Sequence, residues 1–156
     1  MKDGTRDKGI DRTAAQLMQS YLPVQYAFVQ FFTEHLADLN RVFEQDLQEM
    51  LVLAIVGQRR LEVALAGNDI GREGPARACI SASRISDVAH MPRQTVRRKL
   101  LGLQARGWVD CEKGQGWFIP ERNGSSAVRD ALKDFELRFA QRLARLHLQL
   151  LSVTKS

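Results

Sequence analysis

The chain has 156 residues, 44 % of them hydrophobic and 26 % charged, which is too apolar for a disordered segment and long enough for a packed core. Lys plus Arg outnumber Asp plus Glu by 23 to 18, and the resulting formal charge of +5 favours polyanionic partners. The longest apolar run, Met50 to Gly57 between Glu49 and Arg59, falls well short of the roughly 20 residues that cross a bilayer, so no membrane partner is expected.

Residues 1–12 are dense in charge and glycine and show no periodic apolar face, which reads as a flexible tail. A short helix is expected from Thr13 to Tyr21. Pro23 then suits the start of a second helix carrying one apolar stripe, Tyr26, Val29, Phe32, Leu36 and Leu39. A third helix follows from Asp46 to Leu65, apolar on more than one side through Leu53 and Val56 and weakened locally at Gly57. These helices make up an N-terminal part, 13–66, expected to serve the core and dimerisation. Gly67, Gly71, Gly74 and Pro75 mark residues 67–78 as a loop.

Residues 79–120 carry the most informative pattern. Ser81 can cap a helix running to about Ala89, with Ile85, Val88 and Ala89 facing inward and the small Ser86 where two helices would cross closely. His90-Met91-Pro92 reads as a tight corner. Pro92 suits the start of a second helix, 92–106, whose buried stripe is Val96, Leu100 and Leu103. Gly107 ends it. Residues 108–119 then read as two short strands around a Lys-Gly-Gln-Gly turn, a small wing braced by Trp108 and Trp117 and stopped by Pro120.

Between Arg84 and Arg106 the basic residues Arg84, Arg93, Arg97, Arg98, Lys99 and Arg106 meet a single acid, Asp87. A helix entering the major groove would carry Arg93, Gln94, Thr95, Arg97 and Arg98 away from its core side. Arginine pairs with guanine and glutamine with adenine, and threonine touches a thymine methyl, so Gln94, Thr95 and Arg97 are expected to read bases. Arg93, Arg98, Lys99 and Lys113 are expected to hold phosphates, with Ser83, Arg84 and Gln115 completing the DNA-binding set.

Asn123 to Ser126 is a polar break with a serine available as a cap, and a long helix is expected over 125–152. Val128, Leu132, Phe135, Phe139, Leu143, Leu146 and Leu150 recur every three or four residues as a dimerisation seam, with packing on the chain's own N-terminal helices as the alternative. The whole reads as one compact domain, mainly α with a small β-wing.

The segments Ile85-Ser-Asp-Val-Ala, Thr95-Val-Arg-Arg-Lys-Leu and Leu103-Gln-Ala-Arg-Gly-Trp-Val resemble winged helix-turn-helix transcriptional regulators of the MarR-like kind. The resemblance covers residues 80–119. It implies a homodimer built from N- and C-terminal helices, double-stranded DNA with a palindromic operator as partner, and a small aromatic effector. The wing is shorter than is usual in that family and closer to a GntR-like pattern, and His90 stands where such motifs often have glycine. A winged-helix protein-interaction module without specific DNA binding is the alternative reading, and a non-specific architectural DNA binder is a third.

The aromatic face of Tyr21, Tyr26, Phe28, Phe31, Phe32 and Phe43 reads either as an effector pocket or as plain core and interface. Cys79 and Cys111 lack the spacing of a zinc site and the number for a disulfide framework, which with the absence of a signal-like apolar run points to the cytoplasm and nucleoid. His35, His90 and His147 stand far apart, so no metal is expected, nor any other cofactor. Without a phosphate loop, a nucleophile elbow or a grouped acid–base set, the chain is not expected to be an enzyme.

Overall fold

The computed structural model describes residues 3–66 and 78–154, so the loop expected over 67–78 lies, up to residue 77, outside the described residues. Among these residues there are six helices, α1 (Asp3–Gln19), α2 (Tyr21–Val42), α3 (Leu47–Leu65), α4 (Ala82–Ala89), α5 (Arg93–Ala105) and α6 (Ala127–Thr154), and two strands, β1 (Asp110–Glu112) and β2 (Gly116–Phe118). The class is mainly helical with one small antiparallel sheet. No helix among the described residues is long and apolar enough to cross a membrane. The chain forms two compact units, one made of the residues up to Asp38 and from Asp134 onward, the other of Leu39–Lys133.

In the first unit, α1 begins at Asp3, where the sequence reading had a tail. Pro23 sits in the first turn of α2, where its missing N–H has no intrahelical acceptor to lose. The face of α2 that packs on α6 is not the expected stripe. Tyr26, Val29 and Phe32 are 68 %, 47 % and 47 % exposed, although Leu36 is half-buried and Leu39 buried as expected, and the side towards α6 runs through Ala27, Phe31, His35 and Asp38. Phe31 meets Phe139 at 6.3 Å between ring centres, and His35 lies between Phe135 at 5.6 Å and Phe139 at 5.1 Å. The helix is apolar on two sides, and its acids decide between them. Asp38 accepts from Arg138 at 2.8 and 3.1 Å and from Arg142 at 2.9 Å, while Glu34 accepts from Arg145 at 3.1 Å. The α6 seam is therefore partly used inside the chain: Phe135 and Phe139 pack on α2, and Leu143 stays exposed.

Burial, and after it the Arg142 charge, holds the His35 imidazole below its ordinary pKa against the opposing pull of Asp38. The unfolded chain then takes the proton more readily than the folded one. His35 thus contributes stability above the ordinary imidazole pKa, and loses it as pH falls through that value towards the lower folded one. Urea melts at about pH 7.5 and about pH 5.5 should show the wild type weakening more than His35→Phe on acidification. Equal weakening would remove His35 as the source.

In the second unit α3 is central and packs against α4, α5 and β2. Its Val52 and Val56 are fully buried together with Ile85, Val96, Leu100, Leu103 and Val109. Asp46 caps it, accepting the Glu49 N–H at 2.9 Å. Gly57 leaves the helix unbroken; a Cβ there would meet Ile119 at an ordinary 3.6 Å. Phe43 packs edge-on against Trp108 at 6.0 Å.

The α4–α5 corner follows the sequence closely. Ser81 Oγ accepts the Arg84 N–H at 3.1 Å, and the Met91 N–H closes the end of α4 on the Ser86 carbonyl at 3.2 Å. Val88 is a correction: it is 46 % exposed, because the buried side of this short helix is centred on Ile85, Ser86 and Ala89. His90 is left-handed, with φ +52°. A side chain there costs roughly 1–2 kcal/mol, whereas glycine gives back only about 0.5–1 kcal/mol in unfolded-state entropy. His90→Gly should therefore raise stability by about 0.5–1 kcal/mol in a urea melt; a drop would mean that the exposed imidazole makes a contact of its own.

The hairpin pairs Asp110 with Phe118, Cys111 with Trp117 and Glu112 with Gly116. Ile80 adds a further bridge on the outer side of β2, its N–H donating to the Trp117 carbonyl at 2.9 Å and its carbonyl accepting the Trp117 N–H at 2.8 Å.

Candidate nucleic-acid interface

Helix α5 separates its side chains by periodicity. Val96, Leu100 and Leu103 are fully buried, and Lys99 lies on the same side, half-buried. Arg93, Gln94, Arg97 and Arg98, at spacings of one, four and five along a 3.6-residue helix, share the exposed face, with Thr95 half-buried at its edge. The first turn of α5 carries no acid, and Pro92 provides no side-chain cap, so its leading N–H groups point outward without an internal acceptor. An anion is favoured there by both the N–H groups and the helix dipole.

The basic residues of this stretch fall into two kinds. Lys99 is ion-paired with Asp46 and Arg106 with Glu49, and the Arg106 guanidinium also stacks 4.3 Å over the Trp108 ring. Burial works against ionising Asp46, but the Lys99 ammonium and the Glu49 N–H outweigh it and hold the carboxyl below its ordinary pKa. Lys99 was expected to hold phosphate; it is instead a brace between α5 and the start of α3. Arg84, Arg93, Arg97, Arg98 and Lys113 have no carboxylate partner among the described residues. Arg84 is exposed on α4 and Ser83 half-buried beside it.

The hairpin presents Lys113 and Gln115 at an exposed tip closed by the Gln115 N–H on the Glu112 carbonyl at 3.0 Å. At its other end Gln104 Nε2 donates to Asp110 Oδ1 at 3.0 Å and ties β1 to the last turn of α5. With the Ile80 bridge holding β2, both helices and the hairpin are anchored to one frame.

The residues considered for an effector pocket do not enclose one. Phe43 belongs to the core against Trp108, Phe31 to the α2–α6 packing, and Tyr21, Tyr26, Phe28 and Phe32 lie exposed on α2. Burial, then Glu112 and Cys111, push the Cys79 thiol above its ordinary pKa, away from the thiolate that redox chemistry needs.

No family model, curated protein or solved structure matches the chain.

Proposed function

We propose that this chain is a sequence-specific DNA-binding transcriptional regulator of the winged helix-turn-helix type, acting as a homodimer on a palindromic site in the cytoplasm. The observation that carries the reading is the division of charge on α5. Lys99 on its inner side and Arg106 at its C-terminal cap are matched by Asp46 and Glu49, while Arg93, Arg97 and Arg98 stand outward around Gln94 without an ion pair among the described residues, Arg98 acting on Asp46 only through its field. Solvation alone also leaves outward cations unpaired, but three arginines grouped around a glutamine on one helix face suit a helix laid in the major groove. In this reading Gln94, Thr95 and Arg97 touch base edges, Arg93, Arg98 and the hairpin's Lys113 hold phosphates, and the output is repression by occluding the promoter. The dimer is supported by the exposed Tyr26, Val29 and Phe32 of α2 and Leu143 of α6, apolar surface of the kind that a second copy covers.

The test is selection from random duplexes across a salt series, with Arg97→Ala alongside. The expected result is a palindromic site whose retention falls with salt, with Arg97→Ala binding it roughly ten- to a hundredfold more weakly and losing its preference at one base pair per half-site. Retention of no duplex at any salt would overturn the reading in favour of a protein-interaction module. Uniform weakening on all sequences would reduce it to non-specific DNA binding.

A further inference from the structure

A cleft of about 420 Å³ lies in the second unit, within the roughly 300–1,000 Å³ usual for small-molecule sites. Its apolar lining residues are Val109, Pro120 and Ala127, its charged ones are Arg122, Asp110 and Asp130, and Gln104 and Ser125 line it too. Arg122 is held by a tight hairpin turn: its N–H donates to the Ser125 carbonyl at 2.8 Å and its carbonyl accepts the Ser125 N–H at 3.1 Å. Asn123 at φ +54° and Gly124 at φ +78° are the two left-handed residues that such a two-residue turn requires. Arg122 and Ser125 are thereby fixed side by side on one wall, and the guanidinium has no carboxylate partner among the described residues.

Each carboxylate is half used. Asp110 Oδ1 accepts from Gln104 Nε2 and from the Cys111 N–H at 2.8 Å, and Asp130 Oδ1 accepts from Ser125 Oγ at 2.8 Å, while the Oδ2 atoms have no partner among the described residues. One cation carried on a rigid turn, two half-occupied anions and an apolar lining match a molecule with a carboxylate, an ammonium and an apolar body. We propose that the cleft binds a small zwitterion of the apolar amino-acid class, with its carboxylate on Arg122, its ammonium on Asp130 and Asp110, and its side chain against Val109 and Pro120. The walls include Gln104 in the last turn of α5, Gly107 just beyond that helix, the base of β1 and the start of α6, so occupancy adjusts how α5 and the hairpin are held. This regulatory half rests on the DNA-reading function proposed above; the binding half does not.

The experiment is calorimetric titration of the full chain, without DNA, with L-phenylalanine, L-leucine, 3-phenylpropionate and phenethylamine. The amino acids should bind, and the two singly charged analogues should bind about tenfold or more weakly, as expected when a charge-assisted hydrogen bond is lost. In Arg122→Gln, phenylalanine should bind no better than phenethylamine; in Asp130→Asn, with Asp110 left to hold the ammonium, it should bind more weakly than to the wild type. Both side chains are exposed, so neither change threatens the fold. No binding of either amino acid, or equal binding of phenylalanine and one of its analogues by the wild type, overturns the site, whatever the chain does with DNA. Saturating phenylalanine should also shift affinity for a selected duplex; binding without that shift overturns the regulatory half alone.

Discussion

Asp38→Ala should cost about 3 kcal/mol of stability, read as a fall in the urea midpoint of the helical signal. Asp38 is 5 % exposed and joins two guanidiniums of α6; Arg142 is itself largely covered, with its Nη1 already lacking a partner. Removing the carboxylate leaves the largely covered Arg142 with only Glu34, 3.8 Å away and about a third exposed, as its counter-charge, and breaking a buried pair in this way costs about 3–5 kcal/mol. The lower end applies because Arg138, about a third exposed, can turn to water. Adding Arg142→Met to Asp38→Ala should return much of the loss, because the apolar stem keeps its packing while the stranded charge goes. A single-site loss under about 1 kcal/mol would mean that Arg142 reaches solvent at no cost.

Gly116→Ala should be nearly as damaging, at about 3 kcal/mol, and should act on the hairpin. A Cβ at this position would lie 2.5 Å from the Ile80 carbonyl oxygen and 2.7 Å from its carbon, backbone atoms that are themselves hydrogen-bonded to Trp117 and cannot step aside. The residue also sits at φ +119°. Strain of this kind costs roughly 1–3 kcal/mol and forced overpacking a similar amount. Gly114→Ala is the internal control, since its φ is +81° but its Cβ would meet nothing within 4 Å. Thermal melts of the two variants, with near-ultraviolet dichroism of the tryptophans, should separate them clearly. Equal losses would place the damage in backbone strain and remove the close approach of Ile80 as its cause.

The parts of the molecule legible in its sequence are those governed by local chemistry. Ser81, Pro92 and Gly107 punctuate α4 and α5 by capping and by ring and backbone constraints, and Val96, Leu100 and Leu103 mark the buried side of α5 through a period that nothing contradicts. What was not legible depends on partners distant in the chain. Lys99 looks like any other cation of its run until α3 places Asp46 beside it. The inward face of α2 has no local mark, since Phe31 and Phe32 are neighbours and either could be buried; Arg138 and Arg142, about a hundred residues away, decide it through Asp38. The Ile80 bridge is one residue long and has no period to detect, although the glycine opposite it was a visible sign of close backbone approach. Asn123-Gly124 was read as a polar break, and its left-handed pair makes it a rigid turn.

The acid–arginine ladder between α2 and α6 also acts as a ruler. Glu34 and Asp38 are one turn apart, as are Arg138 and Arg142, and the rungs run in opposite directions along the two helices. Sliding one helix by a turn in one direction would bring Asp38 against Asp134; in the other, it would leave Glu34 facing Leu146 and Gln149. Apolar contacts alone would tolerate such slippage, because phenylalanine and leucine replace one another down the seam with modest loss. The charges therefore favour the observed axial registry of this helix pair, a property separate from how strongly it is held together.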